Sequence, residues 1–182
     1  RILTALAPYV DGFVWTPQYT GTPAVFQPDG FARTAQEMAK SAPDHLKLVE
    51  LPAWDAARQA EWMALVAAFL TSGGDGVVAV SGREVDRDRV PSPADWPYDQ
   101  AILCGADVAS FRQRAVSAVR REFPSAFIAA CGGIHRGAVA FEVCQSANVI
   151  AENEAFTRYG PGLGRTLLKR LANRIQYLQR QG

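Results

Sequence analysis

Five times along the chain a short apolar run gives way to a longer stretch whose apolar residues recur at helical spacing. The first run, GFVW at 12–15, reads as a buried strand, followed by a Pro/Thr/Gly loop over 16–28 and a helix over 29–40. The second strand falls at 45–51, where Pro52 breaks the run and Asp55 is placed to cap a long helix reaching about 71. GVVAV at 76–80 is a third strand, continuous and β-branched as a strand covered on both faces should be. A helix over 108–122 precedes the fourth strand at 126–130, and a helix over 137–145 precedes the fifth at 147–151. The last helix, 164–179, sets Leu167, Leu168, Leu171, Ile175 and Leu178 on one face and Arg165, Lys169, Arg170 and Arg174 on the other. Strand and helix in strict alternation predict an α/β domain of βα units over 1–182. One long loop, about 81–107 and rich in Asp, Arg and Pro, interrupts it at the end where such proteins carry their working loops.

Composition narrows the partners. The 182 residues are 48% hydrophobic, enough for one packed core, and 19 Lys plus Arg against 18 Asp plus Glu leave a net charge of +1. So small a charge gives no field to draw in a polyanion, which argues against nucleic acid as a main partner. No apolar run approaches the roughly 20 residues that cross a bilayer, so no transmembrane segment is expected. Cys104, Cys131 and Cys144 are odd in number and lack C-x-x-C spacing, which predicts reduced structural thiols and a reducing compartment. The chain opens on Arg1 rather than Met, which leaves open a removed targeting peptide or a longer N-terminal region.

Few residues carry chemistry by themselves. Gly132 and Gly133 close the fourth strand, and two glycines before a helix N-terminus are either a tight turn or a backbone cradle for a phosphate. Lys47 lies inside the second strand, where an ammonium must find an anionic or electron-rich partner or reach an edge. His45 and His135 have no companion at metal-ligand spacing, so no metal site is expected. The glycine-rich YGPGLG at 159–164 lacks dinucleotide spacing and reads as a structural loop before the last helix. Trp54, Trp62 and Trp96 read as core or interface anchors.

Taken in order, these segments resemble the C-terminal part of the class 2 dihydroorotate dehydrogenases, FMN-dependent (β/α)8 barrels of pyrimidine synthesis. IAACGGIHRGAVAFEVCQSANVIAENEAF is similar to that family's GVGGI strand, helix and next strand, and TRYGPGLGRTLLKRL to its final helix. APYVDGFVWTPQYTGTP resembles strand four and the active-site loop, HLKLVELP the V-K-x-x-P strand, DGVVAV the DG-V-x-x-TNTT strand and AILCGADV the GGLSGxxL loop. The resemblance implies a partial (β/α)8 TIM barrel of about five βα units, strands four to eight. Five strands cannot close such a barrel, so other protein subunits are expected to cover its open edges. It further implies a mitochondrial or bacterial inner-membrane setting, with Lys47, Gly105, Gly132 and Gly133 in the places of FMN contacts.

The departures point away from catalysis. The family's Ser or Cys base is missing from 13–27, which offers only Thr16, Thr20 and Thr22, and an unassisted threonine hydroxyl is a poor base. The substrate-gripping asparagines are missing too, since Asn148, Asn153 and Asn173 all lie beyond the relevant strands, and Ser81 and Gly82 stand where TNTT would be. At the phosphate contact after the last strand stand Glu152, Asn153 and Glu154. A carboxylate about 4 Å from a phosphate charge costs roughly 4 kcal/mol at an effective dielectric near 20. Two backbone hydrogen bonds return about 1–3 kcal/mol each. Arg136 and Arg158 are the residues placed to neutralise the glutamates. The expectation is a degenerate dihydroorotate dehydrogenase-like subunit of a larger assembly with no cofactor. The alternative is an FMN-dependent enzyme, or one fragment of a split one, oxidising dihydroorotate with a quinone acceptor. A non-redox phosphate ligand at Gly132 and Gly133 is a third reading.

Overall fold

The computed structural model describes residues 2–17, 27–51, 53, 56–80, 82–86, 100–151 and 162–180. A short helix α1 (Ile2–Leu6) leads into strand β1 (Gly12–Trp15), helix α2 (Pro28–Ser41), strand β2 (Leu46–Leu51), helix α3 (Gln59–Thr71) and strand β3 (Gly76–Ala79). Next come strands β4 (Arg83–Asp86) and β5 (Gln100–Leu103), helix α4 (Ala109–Glu122), strand β6 (Phe127–Cys131), helix α5 (Gly137–Cys144), strand β7 (Val149–Ala151) and helix α6 (Gly162–Gln179).

The main sheet runs β1-β2-β3-β6-β7 with every neighbouring pair parallel. Strands added in chain order all step in one direction, so right-handed crossovers place their helices on one and the same face. This is the winding of a barrel wall, because a doubly wound sheet reverses direction at a switch point. Side-chain alternation agrees. Val49, Leu51, Val77, Ala79, Ile128 and Ala130 are fully buried on the helix side, in one cluster with Phe31, Trp62, Val66 and Phe69 of α2 and α3 and Val116 and Val119 of α4. Trp15 joins them, its ring 4.9 Å from Phe31 and 6.4 Å from Phe69.

The opposite face is the inner wall of the barrel fragment. Register places Val14, Leu48, Glu50, Gly76, Val78, Phe127, Ala129, Cys131, Val149 and Ala151 on it. On the edge strands it is open: Val14 is 52% exposed and Val149 45%. In the middle β3 and β6 approach so closely that a Cβ on Gly76 would lie 1.9 Å from the Phe127 carbonyl oxygen, and only glycine fits there.

Two features depart from the sequence reading. The stretch expected as one irregular loop contains an antiparallel pair, β4 with β5, and a 3-10 turn over Gly105–Val108. Alternation over four-residue strands flanked by Asp, Arg and Pro is too short to separate from loop. The final helix begins at Gly162, and its apolar face is only partly used: Leu167 is buried and Leu171 half-buried, whereas Leu168 is 68% and Ile175 43% exposed. Its early turns lie on α5, where a Cβ on Gly137 would be 2.6 Å from the Arg170 Cβ.

Candidate functional site at the carboxyl ends of the strands

Parallel barrel strands put their working residues at the carboxyl ends, because the loops and helix N-termini gather there. The chain reverses at the end of β6 through Gly132 (φ 82°) and Gly133 (φ 70°), a left-handed pair that only glycines adopt without strain. A Cβ on Gly133 would lie 2.7 Å from the Gly105 carbonyl oxygen and 3.2 Å from the Ala109 Cβ. The structure thus brings Gly105, itself at φ 82°, and Gly133 into contact, so three of the four glycine and lysine candidates form one turn-on-turn cluster.

Beneath it lies a residue the sequence reading missed. Arg112 of α4 is 3% exposed and donates a hydrogen bond from its guanidinium to the Gly132 carbonyl oxygen. A buried cation behind a two-glycine turn fixes the turn and favours negative charge in front of it. The signal was present in the sequence, since Arg112 shares the i, i+3, i+4, i+7 stripe of Ala115, Val116 and Val119, an arginine on an apolar helix face.

Lys47 is elsewhere. Its side chain points to the helix side and towards the amino ends of the strands, where the ammonium donates to the His45 carbonyl at 2.6 Å and the Pro43 carbonyl at 3.3 Å. It pairs there with the Asp75 carboxylate at 3.0 Å, which also accepts the Lys47 backbone N–H at 2.8 Å. Leu48, the next residue, is level with Gly76 and Phe127, and Gly132 lies five residues further along. At 3.3 Å per residue that is roughly 17 Å away from the glycine turn. Lys47 and the glycines are not one site. His45 likewise serves the amino end, its Nε2 2.7 Å from the Ala7 carbonyl oxygen.

The polar group on the inner wall is Glu50, which accepts a 2.7 Å hydrogen bond from the Thr16 hydroxyl. Both stand at the carboxyl ends of their strands and are half-buried. Thr20, Glu152, Asn153, Glu154 and Arg158 lie outside the described residues, as do Trp54, Trp96 and Ser81. Asn148 is structural, its Oδ1 accepting from the Ile128 N–H at 2.9 Å and an Arg120 guanidinium N–H at 2.8 Å near the amino end of β7. None of the three cysteines forms a disulfide, and no cluster of metal-ligating side chains occurs among the described residues.

Fold and winding define the class: an α/β chain forming part of a (β/α)8 barrel, five parallel strands with helices on the outer face. Solved structures place it further. The chain is similar to the dihydroorotate dehydrogenase (DHODH) of Eimeria tenella in complex with ferulenol, with a TM-score of 0.79 at 15% identity over 98% of this chain and 54% of that one. It is similar also to the ligand-free type of the same enzyme, TM-score 0.76 at 14% identity over 97% and 55%. It therefore spans about half the length of these structures, and the likeness is one of fold. No family model and no curated protein matches the sequence. Among the described residues no helix is long and apolar enough to cross a membrane.

Proposed function

We propose that the chain is a divergent relative of the class 2 dihydroorotate dehydrogenases that does no flavin redox chemistry and serves as a structural or accessory subunit of a larger, mitochondrial assembly. The observation that carries this reading is the inner wall. At the carboxyl ends of the described strands its residues are Glu50, Val78, Cys131 and Ala151, with the Thr16 hydroxyl committed to Glu50. A flavin tuned for reduction wants a cation or hydrogen-bond donors beside its ring. This wall offers a carboxylate, and the one buried lysine is tied down at the other end. The Gly132 and Gly133 turn suits a phosphate, but the described part of the wall does not suit the ring. The open edge strands support a partner-covered role. The test is dihydroorotate-dependent quinone reduction by the assembly purified through this chain. Background activity together with stoichiometric partner subunits is expected, and turnover lost on depleting the chain would contradict the proposal.

A second reading draws on the Thr16–Glu50 pair. A threonine hydroxyl hydrogen-bonded to a carboxylate is an assisted base, able to pass a substrate proton to Glu50, as a fragment of a split dehydrogenase would need. In that case Thr16→Ala abolishes the activity of the assembly without loosening it; unchanged activity removes the reading.

A further inference from the structure

Away from the inner wall, the helix layer holds a basic cleft of about 690 Å³ between α5 and α6, lined by Arg136, Gly137, Ala138, Phe141, Arg170 and Arg174. We propose that it binds a phosphate group, carried either by a free inorganic phosphate or by a small metabolite. Three arginines line one opening, and no carboxylate of a described residue lines it. Among the described residues none of the three forms an ion pair, and an entering anion relieves their mutual repulsion. The opening also receives the start of α5, whose N-cap residue Arg136 is extended and provides no side-chain cap. The first N–H groups of that helix add donors and dipole to the three cations. The arginines are held in place. Arg174 lies 5.8 Å from the Phe141 ring centroid and 5.5 Å from that of Tyr177, and the Arg170 stem packs on Gly137. Planar guanidinium forks on the walls of one cleft match tetrahedral phosphate oxygens better than a single carboxylate. The cleft is built from the outer faces of two helices, and it is independent of whether the inner wall binds a flavin.

The probe is inorganic phosphate, titrated calorimetrically into the purified assembly at constant ionic strength, with AMP in a parallel arm. Saturable binding is expected, weakened at least tenfold by Arg170→Met with Arg174→Gln, and unchanged by Arg180→Ala, which removes a charge from beyond the same helix. Tighter binding of AMP than of phosphate assigns the site to a metabolite, and the reverse to the free ion; both support it. No saturable heat would overturn the proposal. So would equal weakening by Arg180→Ala, which means diffuse helix charge. Thermal melts of the variants, expected within a few degrees of the parent because all three side chains are exposed, separate lost binding from lost folding.

Discussion

Gly105 and Gly133 share a left-handed backbone, yet their surroundings differ, and that difference is measurable. A side chain at Gly105 meets nothing within 4 Å, so Gly105→Ala is charged only for the backbone, about 1–2 kcal/mol. Gly133→Ala adds a collision with the Gly105 carbonyl oxygen and the Ala109 methyl, bringing the loss to roughly 2–4 kcal/mol. Urea midpoints of the two variants should fall in that order with unchanged slopes. Equal losses would mean that the two turns do not touch. Cys144 offers a second check. Although exposed, its thiol is pushed upward by desolvation, so it stays protonated to higher pH than a free cysteine, and stability drawn from it is present below the ordinary thiol range and lost as pH rises through the raised value. Iodoacetamide labelling of Cys144 should rise at higher pH than in the urea-unfolded chain; superimposed profiles would contradict it. At this scale the sequence was only half legible. The glycine pair was visible as a turn, but whether Lys47 points to the carboxyl or amino end depends on Asp75, 28 residues away. Nor does spacing alone show that Thr16 meets Glu50, which requires the β1–β2 register.

The order of strands and helices was legible because four crossovers share one physical pattern, a buried strand followed by an amphipathic helix packed on its outer face. GFVW, GVVAV and the apolar stripe of the helix before the fourth strand fall within a residue or two of the observed elements. The hairpin of β4 and β5 was not legible, since its pairing is set by partners across a gap and not by local period. The last helix carries the expected apolar stripe, but how much of it packs was not legible: from Ala172 to Tyr177 every residue is exposed, Ile175 and Tyr177 included. Beyond Arg174, which lies against the Phe141 ring, those turns bury little apolar surface and should open locally. Hydrogen exchange of the isolated chain is expected to be fast from Ile175 onwards and slow in β3 and β6; slow exchange to the end of α6 would contradict this. The centre of the sheet should be the least tolerant of change. Gly76→Ala drives a methyl into the Phe127 carbonyl of the neighbouring strand and is expected to cost roughly 3 kcal/mol or more, read from a chemical-denaturation curve of the assembly.

As a whole the molecule is a barrel wall packed on its outer face and open on its inner face at the edge strands, where Val14 and Val149 are exposed. The outer face carries the core, from Phe31 and Trp62 to Val119 and Ile128, in a chain that spans about half the length of the structures it resembles. The edge strands β1 and β7 are open among the described residues, which is the physical argument for the proposed subunit role. Without partners the chain should bind a hydrophobic dye and self-associate, and added partner should suppress both. The central claim, that this wall no longer works on a flavin, turns on how much FMN the native assembly holds per copy of the chain. That ratio, from flavin absorbance and fluorescence after denaturation, is expected to be near zero with the fold intact by circular dichroism. A ratio near one, lost in Gly133→Ala, would contradict it and place the chain in a redox enzyme.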